Sequence, residues 1–387
     1  MPLALPHRLF HRSFRRLALP SLIGLSLLAF LFAWTQIRPV ELYLSDLRAE
    51  VALNVGSDQG RGNLLGIEPR LYPGDYQSAG RLYLKLQGHL REAHRNGLLN
   101  DKTVVVFPEH IGTWLVAANA KPHVYSADTL LAATHWLIAS RPFDYIEALW
   151  SSQAIDRSKA AVFKMHAQYM AENYQQVFAS LASEFNVTVV AGSILLPNPS
   201  LVDGQLLPGD GPLYNVTLTF DREGRPLGLP QRKVFPIDSE LDFTEPGQAS
   251  QFGVLQTPAG RLGVLLGADS LQESNYAPLA LGSSQLLVVP AFLRGTGQWH
   301  ALWEGLDGSL PGDDTPEPGE LTEEQAWHQL ALGGQIGKSG AVAGMTVFSR
   351  GQLWDLDTDG RSFIALPGQP VQGVDDGKIA KLLNLWL

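Results

Sequence analysis

The stretch RLGVLLGADS, Arg261–Ser270, sets an apolar run of strand length directly before a glycine-containing turn. A continuous apolar run bounded by turn residues is the mark of a strand covered on both faces. The ends of such strands are where open α/β sheets carry their chemistry. Here the turn offers Gly267, Ala268 and Asp269, with Ser270 as the one hydroxyl close by. Gly267 has no side-chain atom with which to react, and the whole chain contains no cysteine. Disulfides, thiolate metal sites and thiol catalysis are therefore excluded for this chain.

Working outward, similar strand-like runs recur on both sides: EVALNV (Glu50–Val55), TVVVF (Thr103–Phe107), VTVVAGSIL (Val187–Leu195), YNVTLTF (Tyr214–Phe220), QLLVVP (Gln285–Pro290) and GAVAGMTVF (Gly340–Phe348). Between them lie helical patterns. Ala79, Leu82, Leu86, Leu90 and Ala93 share one face behind Asp75, and Ser158–Phe185 reads as one long helix with Met165, Tyr169, Val177, Leu181 and Phe185 inward. The alternation predicts a layered α/β domain over residues 45–387. The turn sequences Asp221–Gly224 and Asp357–Gly360 are expected to close hairpins. Two segments interrupt the alternation. Residues 113–157 are apolar and aromatic and are expected to fold as a lid, with Trp114, Trp136 and Trp150 suited to a membrane interface. Residues 294–325 are acidic and rich in Pro and Gly, a solvated loop without calcium-loop spacing.

The chain has 387 residues, 45% apolar and 17% charged, enough to bury a sizeable core. Its net charge of −9 argues against a nucleic-acid partner. The histidines show no metal-ligand spacing, so neither metal nor cofactor is expected. From Leu17 to Ile37 no residue is charged, a stretch that at about 1.5 Å per residue spans a ~30 Å hydrocarbon core. Arg8, Arg12, Arg15 and Arg16 precede it. This pattern predicts a basic cytoplasmic N-terminus (1–16), an uncleaved single-pass anchor (17–37) in the inner (plasma) membrane, and a main domain on the periplasmic or extracytoplasmic side.

Three motifs stand at strand ends. FPEH places Glu109, QRKVFPIDSELDFTEPG places Lys233 and Glu240, and RLGVLLGADS places Gly267. In this order, with the Tyr-Asn strand before Lys233 and the closing hairpin GMTVFSRGQLWDLDTDGRS, they resemble the nitrilase, or carbon–nitrogen hydrolase, superfamily over nearly all of residues 50–365. The resemblance implies an α-β-β-α sandwich and allows a homodimer. It also implies Glu109 as general base, Lys233 as the stabiliser of a tetrahedral oxyanion and Glu240 as a second, orienting carboxylate. Where the family carries its cysteine nucleophile in Cys-x-Asp, this chain reads Gly267-Ala268-Asp269. The implied protein is membrane-anchored and carbon–nitrogen hydrolase-like, with a Glu/Lys pocket for a small amide- or nitrile-like ligand and impaired chemistry. The alternatives are a working amidase or nitrilase, or a relative of apolipoprotein N-acyltransferase, if the glycine is a variant or another nucleophile serves. Asn186-Val-Thr and Asn215-Val-Thr match a glycosylation pattern, but both start strands and are read as carrying nothing.

Overall fold

The computed structural model describes residues 8–37, 42–249, 252–305 and 316–387. In the helix Arg8–Gln36 the side chains are described from Pro20 on. The expected basic terminus, the first part of the expected anchor and the middle of the acidic loop thus lie wholly or partly outside the described residues. Among the described residues no helix is long and apolar enough to cross a membrane.

Two sheets form the centre. The larger runs in the order Ala49–Val55, Ala380–Trp386, Asn63–Glu68, Thr103–Val106, Thr188–Val190, Leu213–Phe220, Pro226–Arg232, and Ile194–Pro197 also pairs with Leu213–Phe220. The smaller runs Val254–Thr257, Gly260–Val264, Leu286–Ala291, Ala343–Phe348, Phe363–Ala365, Gln372–Gly373. The middle of each sheet is parallel: Asn63–Glu68 with Thr103–Val106 and Thr188–Val190, and Gly260–Val264 with Leu286–Ala291 and Ala343–Phe348. Apart from the half-buried start of Gly260–Val264, those strands are buried throughout, as apolar runs covered on both faces must be.

The sheets pack face to face through Leu64, Val104 and Val106 on one and Val264, Val288 and Met345 on the other. Helices Ala79–Arg95 and Ala167–Phe185 cover the outer face of the larger sheet, and helices Tyr276–Leu281 and Glu323–Gln329 cover that of the smaller. The layering is α-β-β-α.

Three local expectations differ from what forms. The long helix over Ser158–Phe185 is two helices, Arg157–Lys164 and Ala167–Phe185. The break falls at His166, which leaves helical backbone and turns its Nδ1 to the Val116 carbonyl, 3.2 Å away. The strand Val187–Leu195 is two strands separated by Ala191, Gly192 and Ser193. Asp357–Gly360 closes no hairpin, because the turn between Arg350–Leu353 and Leu356–Thr358 sits at Trp354 and Asp355. Trp354 takes a left-handed φ of 61° there and donates its indole N–H to the Val124 carbonyl. That anchorage outweighs the turn preference of Asp-Thr-Asp-Gly.

The segment after residue 42 is pinned to the domain by a buried ion pair. Lys85 Nζ lies 2.8 Å from Asp75 Oδ2, with the two side chains 1% and 0% exposed. Asp75 also accepts the Ser45 hydroxyl and the Tyr72 N–H, and Arg81 donates to the Tyr43 carbonyl. Removing one partner of such a pair strands a charge in the interior, at a cost of about 3–5 kcal/mol. Lys85→Met should therefore lower the unfolding free energy by that amount in urea titrations. Asp75→Asn added to it should recover a large part of the loss; no recovery would mean the charge pairing is not what the site contributes.

Candidate active site

The strand Thr103–Val106 is a β-branched run that Pro108 ends, and Glu109 follows at its C-terminal edge. The turn beyond is held by the loop after Thr188–Val190. Ser193 Oγ accepts the His110 N–H at 2.8 Å, and the Ser193 carbonyl accepts the Gly112 N–H at 2.9 Å. The approach is close enough that any Cβ on Gly192 would strike the Pro108 carbonyl, and Gly192 has φ +65°. His110 itself is held at φ 61°, a conformation rare for a residue with a Cβ.

Lys233 follows the strand Pro226–Arg232, and Glu240 lies in the short helix Asp238–Leu241. The structure brings Glu109, Lys233 and Glu240 into direct contact. Lys233 Nζ is 2.9 Å from Glu109 Oε1 and 2.7 Å from Glu240 Oε2, and all three side chains are buried. Burial works against the Lys233 charge, but the Glu109 and Glu240 carboxylates outweigh it and raise its pKa above the ordinary lysine value. Glu240 is likewise penalised by burial, yet Lys233 and His110 hold its carboxyl well below the usual range.

Three residues given no site role from the sequence complete the constellation. Asn215 donates its amide to Glu109 Oε1 at 2.9 Å and lies 3.3 Å from Glu240 Oε1. It bridges the two carboxylates from a buried position inside Leu213–Phe220, so its glycosylation-like pattern conceals a site residue. His110 Nε2 lies 2.9 Å from Glu240 Oε1, and its Nδ1 lies 3.2 Å from Thr113 Oγ1. Nε2 is thus placed to donate to Glu240, and Nδ1 is paired with the Thr113 hydroxyl. Asp269 accepts the backbone N–H groups of Val234 (3.0 Å) and Phe235 (2.7 Å), tying the loop that carries Lys233 to the turn that carries Gly267.

Gly267 sits at that turn with φ +46°. A Cβ placed on it would fall 3.1 Å from Glu109 Cδ, 3.2 Å from Oε1 and nearer still to Oε2. The Glu109 carboxylate therefore occupies the space a side chain at position 267 would need. Ser270 is fully buried and its hydroxyl donates to the Gly267 carbonyl at 2.8 Å. Glu109, His110 and Glu240 each present a donor atom within 4.8 Å of the others, a cradle suited in size to a cation. The Lys233 ammonium, bonded to both carboxylates, supplies the positive charge there.

No protein-family model and no curated protein matches the sequence. Among solved structures, a carbon–nitrogen hydrolase from Helicobacter pylori G27 superposes with a TM-score of 0.52 at 16% identity, over 84% of this chain and 88% of that one. A variant of an amidase of the nitrilase superfamily from Nesterenkonia AN1 superposes at 0.48, also at 16% identity, over 84% and 92%. The first likeness establishes a shared carbon–nitrogen hydrolase fold.

Two measurements follow from this geometry. Left-handed backbone costs a residue with a Cβ about 1–2 kcal/mol. Gly267→Ala should lose at least that and more for displacing Glu109, whereas in a Glu109→Gly background only the backbone cost should remain. Equal losses in the two backgrounds would mean that Glu109 does not fill the space.

The second concerns pH. Burial pushes the Asp269 carboxyl up to about 7, against the pull of the Phe235 and Val234 N–H groups and of Lys233. From its ordinary 3.8 up to about 7 the folded chain holds a proton that the unfolded chain has released, so this group's contribution falls as pH rises. Glu240 runs the other way, its contribution being present above 4.5 and lost as pH falls below. Urea midpoints measured against pH should therefore show the decline between about 4.5 and 7 vanish in Asp269→Asn, with the acid-side loss retained.

Proposed function

We propose that this chain is a membrane-anchored, carbon–nitrogen hydrolase-like protein that binds a small amide- or nitrile-like ligand at the Glu109–Lys233–Glu240 site without turning it over. The observation that carries the reading is the pairing of a complete Glu/Lys/Glu constellation with a glycine whose side-chain space the Glu109 carboxylate fills.

Covalent catalysis on an amide needs a nucleophile within hydrogen-bond reach of its base. Gly267 offers none, and the Ser270 hydroxyl is directed at the Gly267 carbonyl. The remaining residues have binding roles. Lys233 can donate to a carbonyl oxygen, Glu109 can accept an amide N–H, Asn215 bridges the two carboxylates and His110 holds Glu240. A buried charge set of this kind persists when each member is paired and hydrogen-bonded.

The fold likeness supports the family reading. The anchoring is supported by the exposed apolar side chains of the helix Arg8–Gln36, with Leu25 67% and Phe30 70% exposed. The end of that helix is held against the domain by Lys121, whose Nζ is 2.6 Å from the Trp34 carbonyl and 3.7 Å from the Trp34 ring centroid.

Purified full-length protein assayed against small amides and nitriles should show no turnover above the buffer rate, and Lys233→Ala should abolish binding. Turnover that Lys233→Ala removes would overturn the reading. A phosphatase reporter fused after residue 60 should be active only outside the cytoplasm; activity confined to the cytoplasm would overturn the topology.

A further inference from the structure

Beside the site lies a cavity of about 200 Å³, lined in part by the helix Leu130–Ser140. Its walls include Leu137, Val162, Leu195, Phe243 and Trp354, all buried. Away from the exposed Ser239, Lys159 and Arg294, the polar side chains on these walls are already engaged by the protein. The Thr113 hydroxyl meets His110, the Thr134 hydroxyl donates to the Leu130 carbonyl, the Trp354 indole donates to Val124, and Glu240 is bonded to Lys233 and His110. What the interior offers a ligand is apolar surface. The opening differs. Lys159 and Arg294 line it from exposed positions, and among the described residues neither forms an ion pair with a carboxylate. Two unneutralised cations at the mouth of an apolar cavity, in a chain of net charge −9, select an anion.

We propose that this cavity binds a single-chain anionic amphiphile, with the apolar tail inside and a carboxylate or phosphate end at Lys159 and Arg294. The inference goes beyond the reading of the Glu109–Lys233–Glu240 site, whose amide- or nitrile-like ligand it leaves in place, and assigns a second ligand class to the adjoining cavity. A cavity of about 150 Å³ holds benzene, so this one takes roughly six to eight carbons. Amphiphiles also fit the outer face of the same insertion, where Leu131 is 66% and Trp150 79% exposed, surfaces suited to contact with lipid.

The test uses the full chain in phosphatidylcholine nanodiscs, with empty nanodiscs as the blank. Butanoate, hexanoate, octanoate, octyl phosphate, octanol and octylamine are titrated by calorimetry, and hydrolysis of propionamide is followed in the same preparation. Affinity should rise about fourfold per methylene from butanoate to octanoate. Octylamine should bind at least tenfold more weakly than octanoate, and Leu137→Trp, which fills the cavity, should abolish saturable binding of both. Lys159→Ala with Arg294→Ala should cost octanoate at least tenfold and leave octanol unchanged. A preference for octanoate points to a free fatty acid, one for octyl phosphate to a lipid-type headgroup, and either supports the inference. No saturable binding of either anion, octylamine binding as tightly as octanoate, or an indifferent double variant overturns it. Propionamide hydrolysis would overturn the non-turnover reading instead, whatever the titrations show.

Discussion

The constraint on which the site depends is the placement of one ammonium between two carboxylates away from water. Glu109 comes from one segment and Lys233 and Glu240 from another, and none could stay ionised in the interior alone. Their mutual pairing fixes the distance between the C-terminal edge of the larger sheet and the loop that follows its last strand. Asp269 extends the constraint to the second sheet, because its carboxylate holds the loop of Lys233 by two backbone N–H groups. The face-to-face packing of the sheets and the polar cluster at their edge therefore support each other. The apolar layer brings the segments within reach, and the charges set their final register.

That cluster also explains what a glycine at position 267 permits. With no Cβ there, the Glu109 carboxylate settles against the backbone of the turn while keeping its bonds to Lys233 and Asn215. The left-handed backbone at Gly267 carries no steric penalty for this residue. A larger residue would have to move a carboxylate that holds two buried partners. The turn and the glutamate thus form one packing unit, and position 267 cannot be considered apart from position 109.

The sequence made the sheets legible because parallel strands buried on both faces must be continuous apolar runs, as in Thr103–Val106 and Leu286–Ala291. It pointed to Glu109, Lys233, Glu240 and Gly267 because each lies just past such a run or in the polar connection after one. Asn215 and His110 carry no comparable signal. A polar residue inside a strand or a turn looks the same whether it faces solvent or a buried carboxylate, and only the fold decides which. The strand Ala380–Trp386 was not anticipated, although AKLLNLW is largely apolar. Its place between Ala49–Val55 and Asn63–Glu68 depends on pairing over more than 300 residues of chain separation, which no local pattern encodes. The break at His166 is of the same kind, since helical spacing continues through it and a distant carbonyl at Val116 interrupts it.

The insertion between residues 113 and 157 shows how the two halves of the molecule's surface chemistry are joined. Its start is fixed by the site, through Thr113 on His110, and a later part is fixed by the N-terminal helix, through Lys121 on the Trp34 carbonyl. Beyond these ties Thr134 and Ser140 turn their hydroxyls onto the backbone of their own helix, which leaves Leu137 on the cavity side and Leu131 exposed. Lys121 also joins this helix directly, its backbone N–H donating to the Ser140 hydroxyl at 3.3 Å where both residues are buried. One residue, Lys121, thus touches both the end of the N-terminal helix and the helix that lines the cavity.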